Sequence, residues 1–393
     1  MKILFIHNRY KYPGGEEVAV ESERQVLKQH GHDPRVMMFD NDKIEGTVQR
    51  LASARKALYN IASKRKIEAE IQQFRPDVIH VHNVFFDASP SVFDAAKKFR
   101  IPVVMTLHNY RLICANALLL RKNLLCEKCV SQTIPLSGIR YRCYRNSAVE
   151  SALVTGVTSL HKVLGTWRSK VHRFIALTDF ARSKFLNSSL NLLPEQIITK
   201  PNFLSDPGYN IENRSGRYLF VGRLSVEKGV RVMLQSFAKT PSRSIDIVGD
   251  GPEKIAIQQE FSGYQNIRFL GMKQKNEVLE YLKNCKALIF PSIWYEGLPF
   301  TIIEAFATGT PVIASNIGAM SSMISDSFNG LHFGVGDPIS LSDTLTRFER
   351  LNSSELSENA RHTYEEHYHP EIHYKFIISL YNKVINEVKT AST

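Results

Sequence analysis

The sequence predicts an α/β protein made of two tandem doubly wound domains, and three observations lead there. Short apolar runs of strand length alternate with stretches of helical period from residue 2 onward, the pattern of parallel sheets covered by helices. The chain has 393 residues, more than a single core usually serves, since a domain takes roughly 150. A polar stretch at 205–216, with Pro207, Gly208, Asn210, Asn213 and Ser215, has linker composition and separates two such blocks. The predicted division is 1–205 and 206–393.

In the first block, Lys2 to His7 reads as a buried strand, Pro13-Gly14-Gly15 as a turn, Glu16 to His30 as a helix and Val36 to Phe39 as the next strand. Asp77 to His82, Val103 to His108 and Phe174 to Leu177 continue the strand series. Ser89 with Pro90 opens a helix to Phe99, and Thr178 opens another to Leu186. In the second block the strands are Tyr218 to Val221, Ile245 to Val248, Ile267 to Leu270, Ala287 to Phe290 and Pro311 to Ala314. Helical periods lie between them at Val230 to Ala238, Glu253 to Phe261 and Asn276 to Asn284. A last helix, Glu371 to Val388, is compatible with packing on either domain. Doubly wound sheets bind ligands at the carboxyl ends of their strands, so the active site is expected there, between the two domains.

Hydrophobic residues at 43%, aromatics at 10% and charged residues at 22% exclude a disordered or collagen-like chain. The longest apolar runs, such as Ile3 to Ile6 and Leu118 to Leu120, fall far short of the roughly 20 residues that cross a bilayer. Met1 to Ile6 runs straight into His7, Asn8 and Arg9, unlike a signal peptide, so a cytoplasmic location is expected. The net charge of +12 is uneven: 31 Lys and Arg face 17 Asp and Glu up to residue 205, against 19 and 21 after it. The basic half points to an anionic partner, such as a membrane surface, a phosphorylated lipid or nucleic acid, or else is simply a soluble basic face.

The most informative stretch is Glu296-Gly-Leu-Pro-Phe-Thr-Ile-Ile-Glu304, directly after the Ala287 to Phe290 strand. Pro299 suits the first turn of a helix, which places Glu304 inside the helix and Glu296 in the loop before it. The stretch Gly297, Leu298, Pro299, Phe300 and Thr301, whose backbone N–H groups other than at the proline are free at a helix start, then offers a diphosphate the positive end of a helix dipole. Glu296 and Glu304, as pure acceptors, suit hydroxyls of a sugar and a ribose; taken alone, Glu296 reads instead as a solvated loop charge and Glu304 as an exposed helix residue. Gly222-Arg223 and Lys228-Gly229 supply complementary cations, a fork and a point charge. Gly249-Asp250-Gly251-Pro252, after another strand, is a tight turn that would let a base or ribose approach the backbone.

In order and spacing these four elements, with Thr310-Pro311-Val312-Ile313-Ala314, resemble the retaining glycosyltransferases of the GT-B fold, sequence family four. The resemblance implies a nucleotide diphosphate sugar bound by the second domain without a tightly held metal. It implies that Arg223 and Lys228 bind the diphosphate, Glu304 the ribose and Glu296 the donor sugar. It also matches Tyr12-Pro13-Gly14-Gly15 to the family's glycine-rich loop near the donor phosphates, and His108 to its active-site histidine. His80 and His82 read as core residues. The acceptor expected from the basic first half is a lipid-linked saccharide of surface polysaccharide assembly, reached peripherally at an anionic membrane. A nucleotide-sugar 2-epimerase and a basic nucleic-acid-binding protein are the alternatives. Against the second, no aromatic-interleaved basic motif of the common nucleic-acid modules occurs, so no nucleic-acid partner is expected.

Three other patterns remain. Asp40-Asn41-Asp42 spells a metal-binding Asp-x-Asp, but its setting after an early strand reads as a polar turn. His362, His367, His369 and His373 read as a solvated tail. Cys285 reads as buried and inert, whereas Cys114, Cys126, Cys129 and Cys143 are compatible with a structural zinc or with free thiols. They lie in an insert, 111–145, that also carries Arg121, Lys122, Lys128, Arg140, Arg142 and Arg145, able to clamp a phosphorylated acceptor or a membrane surface.

Overall fold

In a computed structural model of the chain, residues 1–9, 15–40, 56–212 and 214–390 are described. Tyr12, Pro13 and Gly14 of the glycine turn, Asn41 and Asp42 of the Asp-Asn-Asp motif, and Asn213 of the linker lie outside the described residues. Two compact units emerge, one of Met1–Arg121, Cys126–Asn202 and His373–Thr393, the other of Lys122–Leu125 and Phe203–Ile372. The division thus falls at Asn202 rather than 205. The residues from His373 onward, counted in the sequence with the second domain, belong to the first.

The first unit alternates β1 (Lys2–Arg9), α1 (Gly15–Gln29), β2 (Asp33–Asp40), α2 (Ile61–Phe74), β3 (Val78–Val81), α3 (Ser91–Lys98), β4 (Val103–Leu107), α4 (Ala148–Val163), β5 (Arg173–Ala176), α5 (Asp179–Leu186) and β6 (Ile197–Thr199). Its six strands run parallel in the order β2-β1-β3-β4-β5-β6. Helix α5 starts as the sequence implies, with the Thr178 side chain accepting from the Ala181 N–H. At α3 the cap is Pro90, and the Ser89 hydroxyl instead accepts from the Asn60 and Ser91 N–H groups. Helices α2 and α4, missed by periodicity, each carry a side-chain cap: Asn60 accepts from Ala62 and Ser63, and Ser147 from Glu150.

The second unit contains β7 (Arg217–Val221), α6 (Val230–Ala238), β8 (Ser244–Val248), α7 (Lys254–Glu260), β9 (Ile267–Gly271), α8 (Lys275–Asn284), β10 (Leu288–Phe290), α9 (Phe300–Ala307), β11 (Val312–Ser315), β12 (Gly330–Phe333), α10 (Pro338–Phe348) and α11 (Ser353–His367). Its sheet is again six-stranded and parallel, but in the order β9-β8-β7-β10-β11-β12, so that here the third strand of the unit lies at the edge. Both faces are buried, and residues alternate between them. Leu219, Leu288 and Val312 pack into one cluster with Ile302, Phe306 and Tyr364, while Tyr218, Phe220, Ile289 and Ile313 pack into another with Met233, Phe237 and Phe348.

The last helix, α12 (Pro370–Thr390), lays Ile377, Leu380, Tyr381 and Val384 against Ile3, Phe5, Leu27, Val78, Val104 and Ile175 of the first sheet. Each such buried aliphatic side chain contributes about 1.5–3 kcal/mol. This packing is why the chain's end belongs to the unit where it began. Among the described residues no helix is long and apolar enough to cross a membrane.

Candidate active site

In the second sheet the strand order reverses between β7 and β10, and both donor motifs sit in the loops leaving those two strands. The loops are fastened together. The Ile293 N–H donates to the Glu227 carbonyl at 3.0 Å, and Gly229, at φ +66°, leaves room for the Pro291 carbonyl, which a Cβ would meet at 1.9 Å. Glycine at 229 therefore serves the approach of the second loop.

That approach brings the Lys228 ammonium to 2.7 Å from Oε1 of Glu296, a carboxylate only 7% exposed. The same oxygen accepts from the Ser292 hydroxyl at 2.7 Å and the Trp294 indole N–H at 2.8 Å. Lys228 also lies 5.6 Å from the Phe290 ring and 5.7 Å from the Trp294 ring, an apolar setting that favours a cation near ring faces. Ser292 and Trp294 escaped the sequence reading, although their spacing of four and two before Glu296 was visible. Arg223 is exposed, and its guanidinium forms no ion pair or hydrogen bond among the described residues, although its carbonyl accepts from the Ser225 N–H at 3.0 Å.

Helix α9 buries Ile302, Ile303, Ala305, Phe306 and Ala307, leaving Thr301 and Glu304, three apart, on its remaining face. Its cap, Pro299, offers no N–H and no side-chain cap bond. The N–H groups of Gly297, Leu298, Phe300 and Thr301 have no acceptor among the described residues, so the first turn presents donors with the dipole behind them. Glu304 is half-buried, and its carboxyl has no hydrogen-bond partner among the described residues. Burial raises its pKa above the ordinary value, and the charge of Lys275 draws it partly back.

The glycines of the 249–251 turn have a different employment from the one expected. A Cβ at Gly249, where φ is +145°, would stand 1.9 Å from the Gly222 carbonyl oxygen, and one at Gly251 would stand 2.4 Å from that of Leu224. Gly222 and Leu224 donate to Val248 and Asp250 at 3.0 and 2.9 Å. Small residues here let two strand-end loops of the sheet pack backbone to backbone, so their size is explained without a base or ribose.

In the first unit, Gly15 is exposed and opens α1 with Glu16 and Glu17 in its first turn. His108 follows β4, with Nε2 2.9 Å from Nδ1 of His82, which leaves its Nδ1 as the ring atom without a hydrogen-bond partner among the described residues. Burial, with the charges of His7 and His80, lowers the His108 pKa to about 3, so the imidazole is neutral. His80 and His82 are buried, as read. His80 Nδ1 lies 2.6 Å from the Tyr381 hydroxyl and 3.0 Å from Glu23 Oε1, and its Nε2 lies 2.8 Å from Thr106.

Glu23, His80 and His82 hold ligand atoms within 4.8 Å of one another. His80 spends both nitrogens on protein partners, so the group serves as a buried hydrogen-bond network. It extends from Glu23 to His373 and on to Lys200, which bonds the His373 Nδ1. Burial opposes ionisation of Glu23, but the charges and hydrogen bonds of His80 and His373 outweigh it and hold the carboxyl well below its ordinary value. Burial lowers Lys200 to about 8 against the pull of Glu23.

His373 is thus no solvated tail residue. It belongs to the buried stripe that continues with Ile377, Leu380, Tyr381 and Val384, and that helical spacing was the overlooked signal. His362 and His367 are exposed beside Glu366, as the tail reading expects. Asp40 ends β2, 3.9 Å from Arg9.

Cys285 is buried and its thiol is pushed up to about 12, an inert group. The other four cysteines are free and gather around Gly138. A Cβ there would lie 3.8 Å from the Cys129 Sγ and 3.0 Å from Ala115, the neighbour of Cys114, while the Cys143 N–H donates to the Gly138 carbonyl. Burial pushes the Cys129 thiol up to about 11, with the neighbouring Cys114, Cys143 and Cys126 adding to the shift. Their sulfurs are not among the sets of three ligand atoms lying within 4.8 Å of one another.

The family described as "Glycosyl transferases group 1" matches residues 205–364, and "Glycosyltransferase Family 4" matches 13–136. The chain belongs to the glycosyltransferases. This glycosyltransferase is 24% identical over 314 residues to the sulfoquinovosyl transferase SQD2 of Arabidopsis thaliana, covering 74% of this chain and 53% of that protein. It is 31% identical over 197 residues to the O-antigen biosynthesis glycosyltransferase WbnH of Escherichia coli, covering 49% of this chain and 56% of that one. The matched region spans 39%, 53% and 64% of the length of three of its curated relatives. Its fold is that of HepE from Anabaena, solved with UDP and glucose, at TM-score 0.62 and 16% identity over 97% of this chain and 99% of that one. The two parallel six-stranded sheets are the GT-B fold.

Proposed function

We propose that this glycosyltransferase moves a sugar from a nucleotide diphosphate donor to a hydroxyl acceptor with retention, the acceptor being a lipid-linked saccharide of surface polysaccharide assembly. The observation that carries the reading is the first turn of α9, where N–H groups precede a half-buried carboxyl, neither with a hydrogen-bond partner among the described residues, beside the Lys228–Glu296 pair. A diphosphate satisfies the donors and a ribose hydroxyl the carboxyl. HepE, solved with UDP and glucose, supports the donor class, and the O-antigen biosynthesis relative supports a surface saccharide acceptor. The basic first half supports work at the cytoplasmic face of an anionic membrane.

In the proposed step the bond from the donor's anomeric carbon to the diphosphate breaks. The acceptor oxygen bonds that carbon on the same face, and the acceptor proton passes to the departing diphosphate. Arg223, Lys228 and the α9 N–H groups stabilise the developing charge, which makes a protein nucleophile unnecessary. Lys228 exchanges part of its contact with Glu296 for the phosphate, and Glu296 then turns its acceptor capacity toward the sugar. His108, neutral at working pH, serves as a hydrogen-bonding group for the donor sugar and does not hold a charge.

The test is calorimetric titration of UDP, GDP and ADP into the wild type and Glu304→Ala. One nucleotide is expected to bind, about tenfold more weakly in the variant, in line with the loss of a hydrogen bond to a charged group. No binding by the folded wild type would overturn the donor-site reading.

We also propose a structural zinc held by Cys114, Cys126, Cys129 and Cys143, supported by the nearness of Cys114, Cys143 and Cys126 to Cys129, whose thiol they help to raise. The ion would fasten the insert. Metal analysis of the purified protein is expected to find one zinc per chain, lost in Cys126→Ser with Cys129→Ser; a metal-free wild type refutes it.

A further inference from the structure

The insert of the first unit gathers positive charge around two tyrosine rings. The Arg121 guanidinium lies 4.3 Å from the Tyr141 ring centre, the Lys128 ammonium 5.4 Å and the Arg140 guanidinium 6.0 Å. Three residues on, the Tyr144 ring carries Arg111 at 4.8 Å and Arg145 at 5.2 Å. A ring face attracts a cation, but three cations on one ring repel one another at separations comparable to the screening length of about 8–10 Å. Folded chains usually relieve such repulsion with carboxylates.

Here they do not. Among the described residues Arg121, Lys128 and Arg140 have no ion pair. Glu150 is engaged by Arg145 at 3.7 Å, and Glu127 is drawn to Lys184 at 2.7 Å. The Arg121 Nε is buried without a hydrogen-bond acceptor among the described residues, an orphaned charged donor beside the ring. A compact knot of unpaired forks and an ammonium around one platform fits a discrete, multiply charged anion with several acceptor oxygens better than the dispersed charge of a bilayer surface. Leu136, exposed at 64%, opens the short helix that ends at Arg140, so apolar surface adjoins the cations.

We propose that Arg121, Lys128 and Arg140, around Tyr141, bind the phosphate or diphosphate of a lipid-borne acceptor. The proposal deepens the acceptor reading given above and rests on it for the word acceptor; the anion site itself rests on the cation geometry. The Arg121 and Arg140 forks take phosphate oxygens, Lys128 supplies a third charge, and the exposed apolar side chains meet the first carbons of the lipid.

The experiment titrates farnesyl diphosphate and inorganic pyrophosphate into the full chain and into a variant with Arg121→Gln, Lys128→Gln and Arg140→Gln, with UDP binding measured in parallel. The wild type is expected to bind farnesyl diphosphate more tightly than pyrophosphate. The variant should lose roughly 30-fold or more in affinity, as the loss of charge-assisted hydrogen bonds implies, with UDP affinity unchanged. Retention of diphosphate affinity in the variant, or absence of it in the wild type, overturns the site. Sedimentation with phosphatidylcholine vesicles, with and without phosphatidylglycerol, separates the sources. Binding to phosphatidylglycerol that depends on the three cations, with no binding of soluble diphosphates, overturns the acceptor assignment in favour of a phospholipid headgroup. A protein that binds farnesyl diphosphate through these residues yet no nucleotide leaves the anion site standing and the donor reading refuted.

Discussion

The Lys228 ammonium sits 2.7 Å from Glu296, and the same carboxylate oxygen takes hydrogen bonds from Ser292 and Trp294. Two residues 68 positions apart in the chain thus form one unit at the point where the strand order of the second sheet reverses. Glu296 holds the cation in place and competes with any diphosphate for it.

That competition gives the first prediction. Glu296→Gln keeps hydrogen-bonding capacity toward Ser292 and Trp294 but frees the Lys228 charge, so UDP should bind as tightly as in the wild type or more tightly while transfer falls. Lys228→Met should lower transfer about 100-fold or more, as loss of one electrostatic stabiliser usually does. Calorimetry and initial rates on both variants check this; weaker UDP binding by Glu296→Gln would show that the carboxylate does not compete for the cation.

Trp294 offers an optical reporter, since the chain has two tryptophans and Trp167 is buried in the first unit. Diphosphate binding at Lys228 should alter the emission of Trp294 because it changes the charge beside its ring and the bond to its N–H. The change should vanish in Trp294→Phe and persist in Trp167→Phe. A UDP response that survives Trp294→Phe places the binding elsewhere.

Gly249 and Gly263 make a matched pair for stability. Gly249→Ala forces a Cβ to 1.9 Å from the Gly222 carbonyl at a φ of +145°, whereas a Cβ at Gly263 meets nothing within 4 Å. Urea unfolding should show Gly249→Ala destabilised by about 3 kcal/mol or more and Gly263→Ala within about 1 kcal/mol of the wild type. Equal stabilities would mean that the 222 and 249 loops are not packed as described.

The buried network in the first unit should make the protein acid-labile. His373, 5% exposed, is lowered to about 4 by burial and the charge of Lys200, while an unfolded imidazole titrates near 6.5. Between those values the unfolded chain binds the extra proton. Its contribution is therefore present above about pH 6.5 and is lost as pH falls toward 4, amounting to about 3 kcal/mol at full extent. Glu23, held low, acts in the same direction at lower pH. Urea midpoints from pH 7 to 4 should fall, and His373→Gln should flatten the slope by close to one proton; an unchanged slope would remove His373 from the account.

Much of the fold was legible in the sequence because both sheets are buried on two faces. Strands such as Tyr218 to Val221 appear as short apolar runs, and Thr178 marks a helix start by a bond three residues away. Helices α2 and α4 were missed because their apolar stripes are narrow. α4 buries mostly Ser, Thr and Val, and its Ser147 to Glu150 cap was the better signal. The His80 and His82 reading followed from their place on a buried strand, whereas the signal for His373 lay in its helical spacing to Ile377, Leu380, Tyr381 and Val384 rather than in the neighbouring histidines.

The sequence alone determined the two parallel α/β blocks, the strand-end positions of Arg223, Lys228 and Glu296, and the helix that carries Glu304, because each depends on local period and local turn chemistry. Tertiary structure alone decided that Glu296 holds Lys228, that Gly249 and Gly251 make room for another loop, that the last helix returns to the first sheet, and that three cations crowd Tyr141. Those facts depend on which segments meet across long separations in the chain, and the free energy that selects such meetings comes from burial shared by many residues rather than from any motif.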